Sequence, residues 1–129
     1  MMNSLIIDAT KSKIFLTYIA DKNIYTYDYE NSKINFEKLI MLINEFLEKN
    51  KSSLNEIKVI YVNRGPGSFA GIRNSLATIK ALSLTKKIDY YCFSFLDFDK
   101  SDEAKYEDVP HLCDKFKIKK NLINPIYLS

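Results

Sequence analysis

Ile57-Lys-Val-Ile-Tyr-Val62 runs straight into Asn63-Arg-Gly-Pro-Gly-Ser68, and Phe69-Ala-Gly-Ile-Arg-Asn-Ser-Leu-Ala-Thr-Ile-Lys-Ala-Leu-Ser-Leu-Thr85 follows. A β-branched apolar run, a Gly-Pro-Gly reversal and apolar residues at helical spacing predict a strand, a tight turn and a helix. Ser68 stands where a helix cap belongs. Phe69, Ile72, Leu76 and Ile79 are expected to form the core face of that helix. A second stripe, Ala70, Ala77 and Ala81 ending in Leu84, is small enough to let another helix come close. Ile88-Asp-Tyr-Tyr-Cys-Phe93 then reads as a further strand, which makes the stretch a strand–helix–strand unit.

Towards the N-terminus, Ser4-Leu-Ile-Ile-Asp8 reads as a buried central strand. Lys13-Ile-Phe-Leu-Thr-Tyr-Ile19 and Asn23-Ile-Tyr-Thr-Tyr-Asp-Tyr29 follow across short polar links and predict an antiparallel meander. A helix capped by Asn35 comes next, with Phe36, Leu39, Ile40, Ile43, Phe46 and Leu47 on its core face. Met41 and Leu42 fall outside the centre of that face and predict a second neighbour. The order β-β-β-α-β-α-β gives an α/β fold with a five-stranded mixed sheet and two main helices. It is similar to the ribonuclease H-like lobe of the actin, Hsp70 and sugar-kinase class. Residues 1–96 are expected to form this lobe, and 97–129 a largely irregular stretch with a short helix near Pro110.

With 129 residues, 47% hydrophobic and 27% charged, the chain suits one globular domain and not a disordered or fibrous one. A net charge of +3 is too small to argue for nucleic-acid binding. No apolar run reaches the roughly 20 residues of a membrane span, and the start lacks the pattern of a secretory leader. Cys92 and Cys113, far apart and with only His111 to help, predict free thiols in a reducing cytoplasm and no metal site. All three glycines, Gly65, Gly67 and Gly71, fall in one loop, and the only two arginines, Arg64 and Arg73, bracket it. The loop therefore needs glycine's backbone freedom and arginine's planar fork in particular. It leaves two readings open, anion binding at a helix start or a purely structural turn. The spacing Gly-x-Gly-x-x-x-Gly misses the dinucleotide fingerprint by one residue, and no P-loop lysine follows.

Arg64-Gly-Pro-Gly-Ser-Phe-Ala-Gly-Ile-Arg73 resembles the loop signature of the TsaB (YeaZ) family, with Ala70 where threonine is usual. Leu5-Ile-Ile-Asp-Ala-Thr10 and Asn124-Pro-Ile-Tyr-Leu128 resemble that family's opening and near-terminal segments. The resemblance implies a non-catalytic subunit in making threonylcarbamoyladenosine next to the tRNA anticodon. It implies pairing with a TsaD-like catalytic subunit through the two main helices, with a TsaE-like ATPase joining. The lone protein would form a homodimer, tRNA would be met only through the complex, and no cofactor or membrane is implied. On that reading Arg64, Gly65, Pro66, Gly67, Ser68, Phe69, Gly71 and Arg73 are the loop. Met41, Leu42, Ala70, Ala77, Ala81 and Leu84 are the interface. Family members carry a longer second lobe, of which 97–129 is expected to be a reduced remnant, and a histidine near the first helix that 29–36 lacks.

An alternative is a small nucleotide-binding enzyme of the actin and sugar-kinase class, using the 64–73 loop and Asp8. Asp8 sits where those enzymes place a metal-facing carboxylate, yet no glycine-containing phosphate loop follows it, so a loop-ordering role is expected. No nucleophile–base pair is visible for the peptidase role of older glycoprotease naming. The acidic run 97–108 and the lysine run 115–120 read as solvated surface, the latter being the one place for direct RNA contact.

Overall fold

The computed structural model describes residues 3–99 and 104–127. β1 (Ser4–Asp8), β2 (Lys13–Ala20) and β3 (Asn23–Glu30) form the meander, followed by α1 (Lys33–Glu37) and α2 (Leu39–Lys49). β4 (Val59–Asn63), α3 (Phe69–Lys86), β5 (Asp89–Phe93) and α4 (Val109–Lys115) complete the chain. The sheet runs β3-β2-β1-β4-β5. β1–β2 and β2–β3 pair antiparallel, whereas β1–β4 and β4–β5 pair parallel, so the five-stranded mixed sheet is as expected. β1 and β4 are buried throughout, which is why both read as continuous apolar runs without alternation. β3 is an edge strand and mostly exposed.

One face of the sheet packs Leu5, Ile7, Leu16, Ile60 and Val62 against Leu39, Ile43, Phe46 and Leu47 of α2 and Ile72, Leu76 and Ile79 of α3. The other face packs Ile6, Val59, Tyr61 and Phe93 against Phe98, Val109 and Cys113. Phe98 and residues 106–118 thus cover the sheet's second face. They include α4, with Pro110 in its first turn, and Lys120 beyond them is bridged to Tyr91 beside β5. Of the acidic run, positions 100–103 lie outside the described residues, as does Leu128 of the closing segment. Among the described residues no helix is long and apolar enough to cross a membrane.

Three local expectations need correction. The first helix is capped by Ser32, whose hydroxyl accepts from the Asn35 amide at 3.2 Å; Asn35 lies inside α1 and donates from its side chain to the Glu30 carbonyl. The helix also breaks at Lys38, and α2 starts afresh at Leu39. Leu39, Ile43, Phe46 and Leu47 are buried as expected, but Leu42, three residues from Leu39 and four from Phe46, joins them at 5% exposed, and Ile40 is 40% exposed. Leu42 is therefore unavailable as an interface residue, while Met41 is 67% exposed. Phe69, expected in the core of α3, is 54% exposed and packs instead on the Tyr127 ring at 4.7 Å. In the first turn of α3, Phe69 thus meets the near-terminal segment and not the core.

Candidate functional site

The 64–73 loop leaves β4, reverses and enters α3, and both ends of the chain meet it. Arg64 donates its backbone N–H to Phe93 O at 2.6 Å, and its carbonyl accepts from Ile126 N at 2.7 Å. Asn63 Oδ1 accepts from Gly65 N at 2.9 Å, and Thr10 O accepts from Ser68 N at 2.8 Å. Ser68 is the cap expected of it: its hydroxyl accepts from Gly71 N at 3.1 Å. Gly65 has a φ of +113°, a region closed to other residues, and a Cβ there would overlap the Ile126 carbonyl. A Cβ at Gly71 would overlap the Ala9 carbonyl, and one at Gly67 the Thr10 carbonyl. The clustered glycines thus have a definite cause, the close approach of backbone from the β1–β2 link on one side and residue 126 on the other.

The two arginines part company. Arg64 makes a two-pronged ion pair with Asp97, Nη2 to Oδ1 at 2.6 Å and Nε to Oδ2 at 3.2 Å, and Nη1 donates to Asn124 O at 3.0 Å. The pair is largely shielded, its side chains 16% and 18% exposed. Asp97 Oδ2 also accepts from Ser94 N at 2.8 Å, which helps to hold the carboxylate in place opposite the arginine. Arg73 is exposed, and its side chain makes no hydrogen bond or ion pair among the described residues. It lines an open groove of about 650 Å³ between α1 and α3 with Lys33, Phe36, Glu37, Ala70, Asn74 and Ala77. Ala70, Ala77, Ala81 and Leu84 are all exposed. Leu84 is 70% exposed, so apolar side chains occupy the outward face of α3 where charge is usual.

Asp8, at the end of β1, is fully buried with both carboxylate oxygens engaged. Oδ1 accepts from Thr10 N at 2.9 Å and from Thr10 Oγ1 at 2.6 Å. Oδ2 accepts from Asn63 Nδ2 at 3.0 Å and Tyr106 OH at 2.6 Å. Burial, and then the Asp8 charge, pushes the Tyr106 hydroxyl well above its ordinary range, so it stays a donor. Asp97, Asn124, Asn63 and Tyr106 were not singled out from sequence. The first two hold Arg64 and the last two hold Asp8, across separations of up to 98 residues that leave no local spacing signal. Among the described residues no group of three or more His, Cys, Asp or Glu is placed to hold a metal, and Cys92 and Cys113 are free and buried.

Residues 30–98 match the model of a family described as TsaD: tRNA N6-adenosine threonylcarbamoyltransferase. The chain is 42% identical over 65 residues to the tRNA threonylcarbamoyladenosine biosynthesis protein TsaB of Buchnera aphidicola subsp. Baizongia pistaciae, covering 43% of this chain and 29% of the relative. It is 29% identical over 92 residues to the TsaB of Buchnera aphidicola subsp. Schizaphis graminum, covering 71% of this chain and 44% of the relative. It therefore spans less than half the length of these curated relatives. Among solved structures, YeaZ from Pseudomonas aeruginosa superposes with a TM-score of 0.66 at 17% identity, covering 73% of this chain and 44% of that one. The fold is ribonuclease H-like, in agreement with the strand order read from sequence. The family model spans more than half of the chain, the two curated relatives are both TsaB proteins, and the fold is that of YeaZ: the chain belongs to the TsaD-related family of proteins, on its TsaB/YeaZ side.

Proposed function

We propose that this chain is a non-catalytic subunit in the biosynthesis of tRNA threonylcarbamoyladenosine, docking through α1 and α3 on a TsaD-like catalytic subunit. The observation that carries the reading is the outward face of α3, where Ala70, Ala77, Ala81 and Leu84 lie exposed beside an open groove. Alanines on two facing helices permit close backbone approach, and Met41 on α2 and Ile34 on α1 add exposed apolar surface to the same layer. Arg73, free at the groove, supplies a planar fork for a carboxylate on the partner. The nucleotide-enzyme alternative needs Asp8 open to a metal or phosphate. Asp8 instead has four donors, one of them the Tyr106 hydroxyl, which favours a loop-ordering role. A TsaE-like ATPase and tRNA itself would be met through the assembled complex.

Reconstitution tests this reading. A TsaD-like subunit and the ATPase, given tRNA and threonylcarbamoyl donor, should modify the tRNA only when this chain is added. The chain alone should neither modify tRNA nor hydrolyse ATP. Equal modification without it, or ATP turnover by the lone chain that an Asp8→Asn variant abolishes, would overturn the proposal.

A further inference from the structure

Residues 124–127 close on the signature loop from outside the sequence region matched by the family model. Asn124 O takes the third nitrogen of Arg64, Ile126 N reaches the Arg64 carbonyl, and Gly65 has no room for a side chain because Ile126 O is there. One residue on, the Tyr127 ring lies against Phe69 in the first turn of α3. Asp97 grips the same guanidinium from the stretch that covers the sheet's second face. Upstream, the segment is itself anchored beside β5. Asn121 N donates to Tyr90 O at 2.7 Å, and the Asn121 side chain accepts from Tyr90 N at 2.9 Å. The loop is thus held between two walls, Thr10 on one side and residues 124–127 with Asp97 on the other.

We propose that residues 124–127, together with Asp97, act as a strap that positions the 64–71 loop and, through it, the first turn of α3, and that Tyr127 with Phe69 forms part of the surface a partner meets. The second half rests on the docking reading above; the first concerns the isolated chain. Phe69 and Tyr127 remain 54% and 41% exposed although they touch, and Phe69 shares the first turns of α3 with Ala70 and Arg73. The surface is therefore built from two distant parts of the chain, and its apolar end carries rings while its middle carries alanines. A partner that fits it has a helix face of small and aliphatic residues, with a carboxylate to meet Arg73. In this arrangement Arg64 and Asp97 are positioning residues that never touch the partner, while Tyr127 does.

Amide hydrogen exchange on the isolated chain, compared for wild type, Asp97→Asn and Tyr127→Ala, tests the strap. Exchange at Ser68 and Gly71 should speed up about tenfold or more in Asp97→Asn, with the β2 amides unchanged. Uniform acceleration, or none at the loop, would overturn the positioning role. Binding to the TsaD-like subunit, measured well below the melting temperature of every variant, tests the surface. Tyr127→Ala should weaken pairing about tenfold, and Tyr127→Phe, which keeps the ring, should restore it. Wild-type affinity in Tyr127→Ala would remove Tyr127 from the surface. If the wild-type chain itself does not pair, the docking reading fails, while the exchange measurement still decides the strap.

Discussion

All three nitrogens of the Arg64 guanidinium are used inside the chain, two on Asp97 and one on Asn124 O, and no lysine can reproduce that fork from a single ammonium. Arg64→Lys should therefore cost about 2–3 kcal/mol of stability, read from urea unfolding, because it leaves the shielded Asp97 carboxylate incompletely paired. Unchanged stability would contradict the account. Arg73, free in the groove, predicts the opposite pattern: Arg73→Lys should change stability by less than about 0.5 kcal/mol and weaken pairing. The sequence singled out both arginines by their rarity but could not divide their roles. What divides them lies 33 and 60 residues away from Arg64, in Asp97 and Asn124. The same holds for Asp8, whose loop-ordering role was legible while its cover, Tyr106, was not.

Helices in this chain end without glycine. Lys51 after α2, Lys87 after α3 and Lys117 after α4 all sit at positive φ, between 53° and 57°, where an L side chain is strained. With the three glycines committed to the loop, lysine takes the left-handed position that glycine usually holds. Lys87→Gly should raise stability by about 0.5–1 kcal/mol in chemical denaturation, since the strain removed exceeds the entropy glycine adds to the unfolded chain. A destabilised variant would show that Lys87 makes a compensating contact. The strands and α3 were legible element by element, because apolar runs and helical spacing are local signals. The start of the first helix was not: Ser32 and Asn35 both make good caps, and only the chain's path out of β3 decides for Ser32. Of Ile40 and Leu42, Leu42 is the one that lies three residues from Leu39 and four from Phe46, so it is buried while Ile40 is exposed, a spacing that was legible within α2 alone.

At the scale of the molecule, one continuous sheet carries two unlike layers, helices α2 and α3 on one face and Phe98 with residues 106–118 on the other. Burial raises the thiol of Cys92 from an ordinary 9.0 to about 11 on the first face, and that of Cys113 to about 12 on the second. Both groups bind their protons more tightly folded than unfolded. Their contribution to stability is therefore complete below pH 9 and is lost as pH rises through 11–12. Unfolding midpoints should accordingly fall above pH 9, and native thiols should react with alkylating reagents at pH 8 only as fast as the chain opens. Rapid native labelling would contradict that packing. Sequence pattern foresaw the first layer and not the second, because the aromatic residues after 96 pack without a regular period. The central claim concerns the outer face of α3, and sedimentation of this chain with the TsaD-like subunit tests it most directly. Wild type should form a stoichiometric complex, whereas Ala77→Glu and Ala81→Glu, each folded with a melting temperature within a few degrees of wild type, should sediment apart. Complex formation undiminished by either glutamate would contradict the account.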